Sequence, residues 1–358
     1  MSHLNHGAPP SEYTAYIGTK IAFILGLAVA TLILLFLAVS LGAVQIPLTE
    51  VIRIFAGLES DSRFQTIIYN IRLPHALAAL LAGAGLAAAG AAMQSILRNP
   101  LGSPFTLGIS QAGAFGAAFA VMLLGSGAMQ STQVGSITIL NPYLTTLSAF
   151  IACMATSLII IAIAQLRGAT PEVMVLSGVA LGALFSAGTM FLQYFADDVQ
   201  LAAMVFWTFG DVGRAGWREV VFMAVVVCLG FLFFILNRWN YNAIDAGDET
   251  AKSLGVRVGF VRMLGMTVAS LITAFIVSFL GIIGFVDLVC PHIVRRIIGD
   301  DHRFVMPASC LVGALLLLAS DTVARLLLAP HVLPVSILTA FLGAPTFLYL
   351  LIRVRRTR

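Results

Sequence analysis

The stretch from Ile21 to Val44 contains no charged residue, and this excludes most of what the chain could fold into. A helix of about 20 apolar residues crosses a bilayer because it pairs its backbone N–H and C=O groups internally, where hydrocarbon offers no partner. No basic cluster precedes the run and it is longer than a signal-peptide core, so it reads as a retained span. With this run at about 20–44, further apolar runs recur at about 72–95, 105–125, 141–166, 172–195, 216–237, 260–282, 285–298, 306–329 and 335–352. Composition agrees: 59% of the 358 residues are hydrophobic and 10% charged, a balance that no water-soluble domain of this size can bury. The expectation is an all-α polytopic membrane protein with about ten transmembrane helices. The eighth run is short and carries Pro291, which suits a broken helix packed inside protein.

Ten crossings with the amino terminus inside put Lys20, Arg98, Arg167, Arg238, Lys252, Arg257, Arg262, Arg295, Arg296, Arg303, Arg353, Arg355, Arg356 and Arg358 on one side. Arg53, Arg63, Arg72, Arg214, Arg218 and Arg325 fall on the other. This asymmetry is what the positive-inside rule asks for, and it predicts cytoplasmic N- and C-termini. The simplest partition is a cytoplasmic tail, 1–19, and one membrane domain, 20–358, with a cytoplasmic loop at about 240–260. No basic face with interleaved aromatics appears, so nucleic acid is not an expected partner. Cys153, Cys228, Cys290 and Cys310 are scattered, which supports neither a disulfide framework nor a paired metal site. Gly83, Ala87 and Ala91 share one helix face, where small residues let backbones approach.

Between the sixth and seventh runs lies DAGDETAKSLGVRV, Asp245 to Val258, which gathers charge in a chain that has little. Asp245 is placed to cap a short helix, Asp248 and Glu249 to sit in its first turn, and Lys252 to lie one turn later. Gly255 is a helix stop. Ala251, Leu254 and Val258 then form a small apolar ridge flanked by charge, suited to a partner's groove. An ordinary solvated loop is the alternative.

Charges in or beside the runs are Glu172, Asp287, Asp321, Arg325, Arg295 and Arg296, each a functional candidate because each is costly in a membrane. Asp321 and Arg325, spaced i,i+4, can neutralise each other. Cys290 and His292 are soft-metal ligand types, but two ligands do not make a site, and no metal site is expected. No phosphate-binding G-x-x-x-x-G-K-[ST] loop and no catalytic set occurs. The chain is therefore expected not to be an enzyme, and any ATP it depends on is handled by another subunit.

Four stretches, in order from about Ile71 to the carboxyl end, carry a resemblance: IRLPHALAALLAGAGLAAAGAAMQSILRNPLGSPFTLGI, DAGDETAKSLGVRV, GIIGFVDLVCPHIVRRIIGDDHRFVMPASCLVGALLLLASDTVAR and LPVSILTAFLGAPTFLYLLIR. Together they resemble FecCD-type permease subunits of the ATP-driven ABC importers of iron–siderophores, haem and cobalamin. The resemblance implies the type II importer architecture in a prokaryotic cytoplasmic (inner) membrane. Its partners would be a second permease subunit, identical or paralogous, two ATP-binding subunits and a solute-binding protein. No cofactor would be bound by this chain, ATP and Mg sitting on the partner ATPase.

In that family the loop between the sixth and seventh spans sits in the ATPase groove. This assigns Asp248, Glu249, Ala251, Lys252, Ser253, Leu254 and Gly255 to ATPase coupling. Basic residues that meet the binding protein match Arg72, His75 and Arg325. His75 stands where arginine is usual, so its contact would need a protonated imidazole. Asp287, Val332 and Ser336 depart from the family's glycine, glutamate and glycine, and are expected near the outer mouth of the translocation path or its gate. Asp211 replaces a common serine in FWTFGDVGRAGW. The implied function is inward transport of a metal chelate, an iron–siderophore first, with haem, cobalamin or an oxyanion as alternatives within the family. A proton-coupled transporter using Asp287, Asp321 or Glu172, and an intramembrane metalloenzyme centred on Cys290 and His292, are the rivals from other classes.

Overall fold

The computed structural model describes residues 11–126, 142–327 and 332–354. Residues 1–10 of the expected tail, the outermost ends of the fourth and ninth runs, and Arg355, Arg356 and Arg358 lie outside the described residues. The chain begins with α1 (Ser11–Ser40), then two short helices, α2 (Leu48–Phe55) and α3 (Ser62–Ile67). A π-helical segment, Ile68–Arg72, leads into α4 (Leu73–Ile96). Next come α5 (Ile109–Leu123), α6 (Pro142–Leu166), α7 (Pro171–Phe195), α8 (Asp198–Thr208), a 3-10 turn at Val212–Arg214, and α9 (Trp217–Leu236). The small helices α10 (Arg238–Asp245) and α11 (Asp248–Ser253) precede α12 (Val258–Leu280), α13 (Val286–Ile298), α14 (His302–Leu327) and α15 (Val335–Val354).

Each apolar run thus coincides with a helix, and no strand occurs among the described residues. Among the described residues seven helical spans are long and apolar enough to cross a bilayer, and α5 and α15 are shorter apolar helices. α13, with Pro291 inside it, is largely buried against protein. The chain is an all-α, polytopic membrane protein.

At the centre stands α4, which packs against α9, α12, α13 and α14. Its small residues explain the position. A Cβ added at Gly83 would run into the Gly313 carbonyl of α14, and one at Gly313 would meet the Gly83 carbonyl and the Ala87 Cβ. Here the helices touch backbone to backbone, the arrangement that supports association where hydrocarbon supplies no hydrophobic drive. α4 has two ends that matter below: the Arg72 end and the Ile96 end.

Short helices are the part that the apolar runs do not reveal. α2, α3 and α8 lie between runs, and a hydropathy reading passes over them. Yet α8 carries a local signal: Asp197 accepts from the Gln200 N–H at 2.7 Å while the Gln200 side chain accepts from the Asp197 N–H at 3.2 Å, a reciprocal capping box.

Candidate functional site

At the Ile96 end, α10 and α11 form a polar elbow. α11 stops as its sequence requires: the Gly255 N–H donates to the Lys252 carbonyl and the Val256 N–H to the Ala251 carbonyl, both at 2.9 Å. Gly255 has φ +83, a conformation that glycine adopts without steric cost. Glu249 and Lys252 pair on the exposed face at 2.8 Å, which holds the Lys252 ammonium above its usual range through the Glu249 hydrogen bond and charge. Ser253 is also exposed.

Two expectations for the elbow are corrected. Ala251 is fully buried and Val258 nearly so, whereas Leu254 is 69% exposed. The three form no common ridge, because the stop at Gly255 ends the helical phase between Leu254 and Val258. Asp245 does not cap α11 either: the position before α11 is Gly247, with no side-chain hydrogen bond. Asp245 is the last residue of α10, and its carboxylate turns inward to stronger partners.

Those partners form a partly buried cluster, around the buried Ser95 and His302, that no local pattern announces. Asp245 Oδ2 lies 3.0 Å from Ser95 Oγ on α4, 3.1 Å from His302 Nε2 on α14 and 3.3 Å from Arg295 Nη1 on α13. Arg295 Nη2 also donates to Ser95 Oγ at 2.8 Å, and the His302 backbone N–H donates to Asn242 Oδ1 of α10 at 2.8 Å. Burial raises the Asp245 carboxyl, but the His302 hydrogen bond and the charges of His302 and Arg295 outweigh it and hold the group below the usual carboxylate range. Asp245 and Arg295 also line a pocket of about 420 Å³, together with Gln94, Arg98 and Asn99.

Asp248 is likewise inward. Arg262, buried on α12, donates from Nη2 to both Asp248 oxygens at 3.0 and 3.1 Å. Its Nε donates to the Ile96 carbonyl at 2.8 Å and Nη1 to the Ala169 carbonyl at 3.0 Å. One guanidinium fork therefore joins the end of α4, the turn before α7 and the start of α11. Asp248 and Ala251 fasten the elbow; Glu249, Lys252, Ser253 and Leu254 face outward.

At the Arg72 end, arginines answer helix ends. A C-terminal turn leaves four carbonyls without intrahelical donors, and Arg72, 5% exposed, donates to those of Val39 and Ser40 at 2.7 Å and to that of Val44. Arg325 pairs with Asp321 at 2.9 Å and reaches the Ala38 carbonyl at 3.4 Å. Arg214 donates to carbonyls of Phe206, Trp207, Phe209 and Leu280; burial lowers its guanidinium to about 10 against the opposing pull of Asp211. His75, half-buried, lies near Asp211, Arg325 and the Gly213 backbone. Arg72, His75 and Arg325 thus come together, the two arginines turned into the protein.

Of the path residues, Ser336 exchanges hydrogen bonds with Gly210 at 3.0 and 3.2 Å, and Val332 lies just before α15 at the same end. Asp287 does not join them, which corrects its expected place near the outer mouth. Its backbone packs on Gly90 and its carboxylate accepts from the Phe105 N–H, nearer the Ile96 end, because α13 starts within the bundle. Cys290 is fully buried and His292 meets Phe347 edge to face. No group of three or more His, Cys, Asp or Glu that could hold a metal occurs among the described residues.

Residues 30–353 match the FecCD transport family. A candidate ABC transporter permease protein of Methanocaldococcus jannaschii is 52% identical over 345 residues, 96% of this chain and 98% of that one. The Fe(3+)-citrate import system permease protein YfmE of Bacillus subtilis is 36% identical, over 92% of this chain and 94% of its own. A solved structure described as an inward-facing conformation of a candidate metal-chelate type ABC transporter superposes with TM-score 0.79 at 30% identity, covering 92% of this chain and 98% of that chain.

Proposed function

Since the chain belongs to the FecCD transport family, we propose that it is the membrane-spanning permease subunit of a binding-protein-dependent ABC importer that moves a metal chelate inward. The observation that carries this reading is the family match across nearly the whole chain, joined to a fastened elbow that exposes Leu254. An iron–siderophore or a similar ferric chelate is the cargo, in keeping with the Fe(3+)-citrate relative; haem, cobalamin and oxyanions are the alternatives.

The chain sits in a prokaryotic cytoplasmic membrane with both termini inside, as one permease domain. It pairs with a second permease subunit, and two ATPase subunits, which hold ATP and Mg, dock at the elbow. The solute-binding protein docks at the Arg72 end, where Arg72, His75 and Arg325 set the shape of the rim. Closure of the ATPases shifts the elbow, and rigid movement of packed helices exchanges access between the two ends. The chain itself performs no covalent step.

The test is reconstitution in proteoliposomes with the ATPase and candidate binding proteins. Chelate uptake that requires both ATP and a binding protein is expected. Uptake driven by a proton gradient with no ATPase present would overturn the reading.

A further inference from the structure

Lys20 is the last charged residue before the charge-free run Ile21 to Val44, so its depth is the membrane boundary on the Ile96 side. Its side chain is 3% exposed, and its ammonium has no hydrogen-bond partner. What surrounds it is aromatic: the Tyr16 ring centre at 4.0 Å and that of Phe304 at 5.0 Å. Such rings attract a cation, but a buried ammonium with no acceptor is costly.

The same corner holds two more cations. The Arg303 guanidinium lies 5.3 Å from the Phe304 ring centre and 5.2 Å from that of Trp239, and Arg238 lies 5.8 Å from Trp239. Arg238 also closes the end of α9 by donating to the Ile235 carbonyl at 2.7 Å. Against these three cations stands Asp301, already paired with Arg303 at 2.6 Å. Glu12 precedes Lys20 by eight residues on α1, about 12 Å along a helix. Residues 1–10 contain no Asp or Glu, and 355–358 read RRTR, so neither stretch brings an acidic side chain.

We infer that this corner binds the phosphate headgroup of an anionic membrane lipid, with Lys20, Arg303 and Arg238 as donors and Tyr16 and Trp239 as rings at the headgroup level. Tyr16 and Trp239 are both 56% exposed, as rings anchored at a bilayer boundary are. Tyr16 covers the ammonium, and its outward swing admits a phosphate oxygen. A lipid is the occupant because the site lies where a charge-free span begins. Basic pockets between helices at that depth suit phosphate headgroups. The inference rests on the chain being a membrane protein, not on its cargo.

The experiment is native mass spectrometry of the full-length protein purified in detergent and supplied with phosphatidylcholine, phosphatidylglycerol, or inorganic phosphate with both lipids. Preferential retention of phosphatidylglycerol is expected, falling roughly tenfold in the Lys20→Gln, Arg303→Gln double variant. Because Arg303→Gln also breaks the Asp301 pair, Lys20→Gln alone provides the second reading, with a several-fold loss expected. Arg53→Gln at the opposite end should keep the preference. Equal retention of the two lipids, an unchanged preference in both Lys20 variants, or a preference abolished by inorganic phosphate would overturn the inference.

Discussion

Leu254 and Arg262 stand for the two things a residue does in this molecule. Leu254 is a large apolar side chain held out by a helix stop, and it is not part of the core of the described residues. Replacing it with Asp is expected to leave the protein folded while weakening ATPase association, because a charge must then be desolvated in an apolar contact. Co-purification of the ATPase with Leu254→Asp checks this; wild-type recovery and wild-type uptake would contradict it. Arg262 is the reverse case. Arg262→Met leaves the Ile96 and Ala169 carbonyls without their donor and Asp248 without its fork, at a cost of about 2–4 kcal/mol given that Asp248 is partly exposed. Thermal unfolding in detergent should report that loss, with Arg262→Lys between the two because an ammonium cannot reproduce the fork.

Among the elements, α10 and α11 are joined to the transmembrane bundle by side chains and not by apolar packing alone. Asp245 links α10 to α4, α13 and α14 in one step. Asp245→Asn keeps the shape but removes the charge that Arg295 and His302 answer. The expected outcome is an importer that assembles and hydrolyses ATP yet moves less chelate per ATP, about tenfold less if one hydrogen-bonded charge contact is lost. The ratio of uptake to hydrolysis in proteoliposomes measures it. The sign of the pH effect follows from the depressed carboxyl: stability from Asp245 is complete above the ordinary value of about 4 and is lost as the pH falls through its lower folded value. Wild-type protein should therefore lose stability relative to Asp245→Asn only in strong acid. Asp301, which Arg303 and Asn242 hold at about 2 against the opposing effect of burial, behaves alike.

On the scale of the whole molecule, arginines fasten both ends. At the Ile96 end Arg262 and Arg295 meet carboxylates of the elbow, and Arg262 also meets the Ile96 and Ala169 carbonyls; at the Arg72 end Arg325 meets Asp321, while Arg72 and Arg214 meet backbone carbonyls. Arg72→Glu is therefore expected to free the end of α1 and cost about 2–4 kcal/mol before any binding protein arrives. Loss of docking in that variant should accompany a lower unfolding temperature, and full stability with lost docking would instead mark a direct contact. The sequence by itself determined the all-α membrane character, the glycine approach of α4 and the stop at Gly255, because each follows from hydropathy or from backbone chemistry within a few residues. Its chain-long motifs also pointed to the family. Only the tertiary structure decided that Asp245 leaves its cap for His302 and Arg295, that Asp248 turns to Arg262, and that Arg72 faces inward. Those choices join side chains from distant parts of the chain, and a buried charge takes whichever partner the packing of several helices brings within hydrogen-bond distance.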